Sequence, residues 1–250
     1  MINTYKKGKG WIKHSEAYTE DELKKIYDIG HPKIAPYLNL APLKTLPSSY
    51  TIPQSTQIPV NDQGQYGCCT GEAAVGMMQC FDLINDGAFT KLSPLFNYWF
   101  SRYILNGKVP TSDDGSTILA AMQALVNYGN APELDWPITS PLEGKPSTKA
   151  QTDAKAYNVL KYFTIPESTV SDPTKNTEIL SLKQLLYSNS PVMFGCDVHD
   201  SIMNVGSDGL EPYAPENSKT DPIDGAHVIF SSLIELGNIV RNQMPLWLLF

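Results

Sequence analysis

The stretch that decides the fold is Pro59-Val-Asn-Asp-Gln-Gly-Gln-Tyr-Gly-Cys-Cys-Thr-Gly-Glu-Ala-Ala74. It joins a glycine-containing turn to small and apolar residues whose spacing predicts a helix over residues 69–84. Cys69 would then lie in the first turn, where unpaired N–H groups and the helix dipole favour negative charge. Such a position lowers the pKa of a thiol, and the thiolate is the nucleophile. The stretch therefore predicts a nucleophilic cysteine.

Two further features of this stretch bear on the chemistry. Gln63, six residues before Cys69, carries a neutral amide donor of the kind that an oxyanion hole needs. Its spacing favours Cys69 over Cys68 as the nucleophile, but only by one residue. The alternative for either thiol is that of a buried small hydrophobe, which is the usual role of a cysteine before a helix.

The first half of the chain predicts further helices. Turn and capping signals indicate helices over residues 94–105 and 116–128, the latter ending at Gly129. The carboxylates of Asp113 and Asp114 are expected to cap the second of these helices rather than to form an acid–base pair.

Short apolar runs dominate the second half. They predict strands at 159–165, 191–198, 226–231 and 236–240, with one helix at about 179–187. Helices followed by strands predict an α+β protein with two unlike halves. Cys80 and Cys196 are expected to be inert core thiols, and the lysines of the first 13 residues a solvated tail.

Composition excludes several classes of protein. The chain has 250 residues, a net charge of −7 and 42% apolar residues, which predicts a globular fold and argues against nucleic-acid binding. It has no apolar run long enough for a membrane span and no apolar segment typical of a signal peptide. It has four cysteines without a pair of CxxC motifs and four scattered histidines, so no structural zinc site is expected.

Several motifs along the chain resemble those of the papain-like cysteine peptidases, and of their bacterial and viral-type branch in particular. They are the opening stretch, Leu46-Pro-Ser-Ser49, Leu92-Ser-Pro-Leu-Phe-Asn-Tyr98, Ser190-Pro-Val-Met-Phe-Gly195, Gly225-Ala-His227 and Val240-Arg-Asn242. The resemblance covers about residues 46–242. It implies a helical subdomain and a β-barrel subdomain with the active-site cleft between them.

The resemblance also implies roles for individual residues. Cys69 would be the nucleophile, His227 the general base, Asn242 the residue that orients the histidine, and Gln63 an oxyanion donor. The implied activity is hydrolysis of an extended peptide or protein substrate without a cofactor. Residues 46–250 would form the peptidase domain, and residues 1–45 would be an N-terminal extension that is either propeptide-like or a structural arm.

The C-terminal end departs from the family's pattern. After Asn242 the chain reads Gln243-Met-Pro-Leu-Trp-Leu-Leu-Phe250 in place of the family's Ser-Trp-Gly and its further strands. This apolar end is expected to be a truncated or diverged barrel edge. Two alternatives therefore stay open: a catalytically impaired papain-like module with a structural or binding role, and a related cysteine amidase or transpeptidase.

Overall fold

Helices occupy the first half of the chain and most strands the second. The structure, a computed structural model, describes residues 10–19, 21–22, 46–47, 49–165, 177–199, 223–231, 233–235 and 246–249. Its α-helices are α1 (His14–Ala17), α2 (Cys69–Asp86), α3 (Pro94–Asn106), α4 (Ile118–Tyr128), α5 (Thr148–Asp153) and α6 (Thr177–Tyr187). Short 3-10 helices lie at Pro53–Gln57 and Ala154–Ala156. The α+β class is confirmed.

Local side chains set the boundaries of the central helices. The Ser93 hydroxyl accepts a hydrogen bond from the Phe96 N–H at 3.0 Å and caps α3. Thr117 caps α4 in the same way, through the Ala120 N–H at 3.0 Å. The predicted capping of this helix by Asp113 and Asp114 is therefore wrong, because the helix begins later and Thr117 already serves its first turn. Gly129 ends α4, as predicted, with a φ of 69° that favours glycine.

The strands form two antiparallel sheets. They are β1 (Ser49–Thr51), β2 (Tyr162–Ile165), β3 (Val192–His199), β4 (Ile223–Ser231), β5 (Leu233–Glu235) and β6 (Leu246–Leu249). The larger sheet has the order β2-β6-β3-β4, and β1 pairs with β5. Over the described residues the larger sheet is open, so it does not close into the predicted barrel. The strand predicted at 236–240 lies outside the described residues.

The apolar C-terminal strand lies inside the larger sheet. β6 pairs with β2 on one side, where Phe163 is opposite Leu248, and with β3 on the other, where Met193 is opposite Trp247. The expectation of a barrel edge is therefore wrong for this strand. The strand has four register pairs with β2 and one with β3, so it has a neighbouring strand on each side.

Helix α2 is central to the core because it contacts both the other helices and the sheet. Met77 and Met78 are buried in one cluster with residues of α4, β3 and β4, as expected for core packing. Cys80 is fully buried in a second cluster beneath the sheet, as expected. In the part of the chain that the structure describes, no helix is long and apolar enough to cross a bilayer.

Candidate active site

Cys69 is the first residue of α2, and its side chain points toward the sheet. It is 1% exposed and belongs to the buried cluster that includes Val228 of β4. Cys68 packs instead with Leu95 and Tyr98 on the helical side. The two adjacent thiols therefore face different surroundings, and only Cys69 meets the strand that carries His227.

Strand β4 brings a backbone donor to the Cys69 sulfur. The Val228 N–H lies within hydrogen-bonding reach of the Cys69 sulfur, together with the N–H groups of Cys69 and Thr70 in the first helical turn. His227 directly precedes Val228 and is half-buried. Cys196 of β3 lies opposite His227 in the strand pairing and is only half-buried, so the expected core position is wrong for this thiol. Asn242 lies outside the described residues.

Burial controls the protonation of both candidate catalytic groups. Desolvation raises the pKa of Cys69 to about 12, against the lowering effect of the three N–H groups. Desolvation also lowers the pKa of His227. Burial therefore disfavours the charged form of each group.

Gln63 lies in the turn that leads into α2. Its Nε2 donates a hydrogen bond to the Tyr66 carbonyl at 2.9 Å. The Gly64 N–H in turn donates to Asp62 Oδ1 at 2.8 Å. The Gln63 amide is thus held by a local bond within this turn.

Residues 10–12 lie beside the site and form backbone hydrogen bonds with the loop before α4. The Ser116 N–H donates to the Gly10 carbonyl at 3.0 Å, and the Ile12 N–H donates to the Ser116 carbonyl at 2.8 Å. Trp11 and Ser116 thus form a parallel β-bridge. A methyl group on Gly67, two residues before Cys69, would lie 3.1 Å from the Gly10 Cα. We call residues 10–17 the arm.

Trp11 anchors the arm. It is 6% exposed and lies in the same buried cluster as Cys69 and Val228. A Cβ on Gly195 of β3 would come within 2.6 Å of the indole ring, so the ring packs directly on the bare backbone there. Sequence reasoning missed this contact, because a tryptophan among lysines gives no local sign of burial against a strand 184 residues away.

A salt bridge forms a second contact between the arm and β3, in addition to that of Trp11. Lys13 Nζ lies 2.7 Å from Asp197 Oδ1 of β3. The expected solvated tail is therefore wrong for Lys13. Its partner sits two residues beyond Gly195, on the same side of the strand.

A half-buried carboxyl group lies one turn into α2. Glu72 Oε2 accepts a hydrogen bond from Asn61 Nδ2 at 3.1 Å. Burial is the main reason why the pKa of Glu72 rises to about 7, and the nearby Glu133 adds to it. Among the described residues, no group of three or more histidine, cysteine or acidic side chains is arranged to hold a metal ion.

A helix that begins with a buried cysteine, packed against a strand that carries a histidine, is the central arrangement of the papain-like fold. The solved structures most similar to this chain include cysteine proteases of that class. Xylellain, a cysteine protease from Xylella fastidiosa, matches with a TM-score of 0.67 over 98% of this chain and 96% of its own, at 23% identity. Digestive procathepsin L 3 of Tenebrio molitor matches with a TM-score of 0.59 over 91% of this chain and 68% of its own, at 19% identity. The chain has the papain-like fold, as predicted.

Sequence comparison gives a compatible result. An uncharacterised peptidase C1-like protein of Acanthamoeba polyphaga mimivirus is 30% identical over 146 residues. The match covers 57% of this chain and 45% of that protein, so the chain spans less than half the length of this curated relative. No protein-family model matches the chain.

Proposed function

We propose that this protein is a cysteine peptidase in which Cys69 is the nucleophile and His227 the general base. The observation that carries this proposal is the placement of the Cys69 sulfur between the first-turn N–H groups of α2 and the Val228 N–H, directly after His227. Asn242 would orient the imidazole, a role that rests on the resemblance of Val240-Arg-Asn242 alone.

With these roles the reaction would be a two-step amide hydrolysis. His227 takes the proton of Cys69, and the thiolate attacks the scissile carbonyl carbon. The Cys69 N–H and the Gln63 amide would stabilise the negative charge that develops on the oxygen. The imidazolium then protonates the leaving amine, and water hydrolyses the remaining thioester with His227 again acting as base.

The substrate would be an extended peptide or protein segment. Support comes from the arm, whose backbone pairs with Ser116 through both the N–H and the carbonyl of that residue. These bonds involve backbone groups alone, so they do not depend on the side chains of the bound segment. An extended chain placed there would lie beside Gly67, two residues before Cys69.

We further propose that residues 1–45 act as an inhibitory extension rather than only as a structural arm. The arm lies beside Gly67 and Ser116, where a substrate backbone would bind, and Trp11 shares the buried cluster of Cys69. A substrate would have to displace it. The burial that disfavours a charged Cys69 and a charged His227 fits an inactive form.

Hydrolysis of a panel of fluorogenic peptides tests the peptidase proposal. The full-length chain carrying Trp11→Ala should cleave some of them, and adding Cys69→Ala should lower kcat by at least about 10³-fold. Cys80→Ala is the matched control, since it removes an equally buried thiol away from the site, and should leave kcat unchanged.

Two outcomes would replace the proposal. No cleavage by the Trp11→Ala chain, with an unreactive Cys69, would favour a non-catalytic papain-like module. Formation of a new amide when an amine acceptor is added, in preference to hydrolysis, would favour a transpeptidase.

A further inference from the structure

A chain of hydrogen bonds joins the nucleophile loop to the loop that pairs with the arm. The Gly67 N–H donates to Asp113 Oδ2 at 2.8 Å. The Tyr98 hydroxyl donates to Asp113 Oδ1 at 2.5 Å and accepts from the Gly115 N–H at 2.9 Å. We call these four residues, Gly67, Tyr98, Asp113 and Gly115, the clamp.

The clamp rests on a rigid base. Tyr98 is fully buried in α3, and the Arg102 guanidinium lies 4.2 Å from the centre of its ring. Arg102 is itself buried and donates to the Leu142 carbonyl at 2.8 Å and to the Ser112 carbonyl. Burial raises the pKa of Tyr98, so its hydroxyl keeps the proton that it donates to Asp113.

The two ends of the clamp are the two sides of the proposed substrate site. Gly67 precedes Cys69 by two residues, and Gly115 precedes the Ser116 backbone groups that hold the arm. The fit at Gly67 is close, because a methyl group there would lie 3.0 Å from Asp113 Oδ1 and 3.1 Å from the Gly10 Cα. The distance between nucleophile and peptide-binding backbone therefore depends on the two bonds that Asp113 accepts.

Both oxygens of Asp113 are engaged within the fold. Oδ1 accepts from Tyr98 and Oδ2 from Gly67, so the carboxylate is not aimed at a reacting atom. This geometry disfavours an acid–base role and favours a positional one. The neighbouring Asp114 bonds instead to the exposed Ser112 hydroxyl at 2.6 Å, outside the clamp.

We propose that Asp113 is a positioning residue, which sets the alignment of the substrate backbone on Ser116 relative to the Cys69 sulfur. The inference rests on the proposed peptidase function and adds a residue to its site. An asparagine at this position would keep one acceptor for Gly67 but would present an N–H toward Tyr98. The buried Tyr98 hydroxyl would then lose its acceptor, and the Gly115 side of the clamp would loosen.

The test compares a small reagent with a peptide in the full-length Trp11→Ala chain, in which the arm no longer limits access. Asp113→Asn should lower kcat/KM for peptide hydrolysis by about 10-fold or more, because a peptide must bind Ser116 and Cys69 together. The rate at which iodoacetamide alkylates Cys69 should change less than about threefold, since that reaction needs no alignment. Asp114→Asn is the matched control and should leave both rates unchanged.

Amide hydrogen exchange at Gly67 and Gly115 provides a readout that does not require activity. Asp113→Asn should accelerate exchange at Gly115 about 10-fold, and Tyr98→Phe should do the same while leaving Gly67 protected. Equal losses of hydrolysis and alkylation would indicate a purely structural residue and would overturn the inference. Unchanged hydrolysis together with unchanged amide exchange in Asp113→Asn would also overturn the inference. Absence of hydrolysis in every chain, including the Trp11→Ala reference, would instead overturn the proposed function.

Discussion

Replacing Trp11 by alanine should uncover Cys69. Burial of most of an indole side chain contributes about 5 kcal/mol at the usual value per unit area. Among the described residues the indole N–H has no hydrogen-bond partner, which offsets about 1–3 kcal/mol of this. The Trp11 side chain thus stabilises the docked arm by about 3 kcal/mol. The two backbone bonds to Ser116 and the Lys13 salt bridge remain in Trp11→Ala.

A change of about 3 kcal/mol corresponds to roughly a 100-fold shift between the docked and undocked arm. We expect iodoacetamide to alkylate Cys69 about 100-fold faster at pH 7 in Trp11→Ala than in the wild type. Peptide mass spectrometry would follow each cysteine separately, so that Cys80, which is fully buried elsewhere, serves as an internal reference.

Trp99→Ala is the matched control. Trp99 is 2% exposed but lies in a different cluster, between α3, α4 and α5. Its loss should destabilise the fold by a similar amount without selectively exposing Cys69. Alkylation of Cys69 at the wild-type rate in a folded Trp11→Ala chain would refute the role assigned to the arm.

Three further predictions concern the arm and the Glu72 carboxyl group. Gly195→Ala should raise the Cys69 alkylation rate about 10-fold, because the Cβ of the alanine would overlap the Trp11 ring and overpacking costs about 1–3 kcal/mol. An unchanged rate would contradict the packing of Trp11 on Gly195. Lys13→Ala should raise the rate only about 2–5-fold at low salt and by less at high salt, since its ion pair with Asp197 is partly exposed; a salt-independent effect would count against it. Glu72→Gln should raise the free energy of unfolding in urea by about 1–3 kcal/mol at pH 8.5 and have little effect at pH 4. The reason is the raised pKa of Glu72, because of which the wild type loses stability as the pH rises toward and through about 7. Equal effects of the substitution at both pH values would refute this.

The four helices predicted from local signals agree with the structure to within two residues at each end. Helix α2 begins at Cys69, and Gly129 ends α4, because capping, glycine and apolar spacing act within one or two turns. Cys68 and Cys69 lie in different clusters, and the choice of Cys69 as the nucleophile stays a prediction.

The features that sequence reasoning missed depend on contacts between distant parts of the chain. Asp113 is predicted as a helix cap by its neighbours, but its partners are Gly67 and Tyr98, which precede it by 46 and 15 residues. Trp11 is buried because Gly195 lacks a side chain, and neither residue reveals the other. Similarly, β6 was expected at an edge because no local signal tells how many strands will pair with it.

The rate of Cys69 alkylation between pH 4 and pH 9 tests the central claim most directly. It would be measured in the Trp11→Ala chain and in the same chain carrying His227→Ala. An isolated thiol titrates near pH 8.5 and is nearly unreactive in mild acid. The account predicts fast labelling of Cys69 at pH 5 that disappears with His227→Ala, because an uncovered site would let the thiolate and the imidazolium form together. Labelling that rises only above pH 8 in both chains would contradict the assignment of Cys69 and His227 as a catalytic pair.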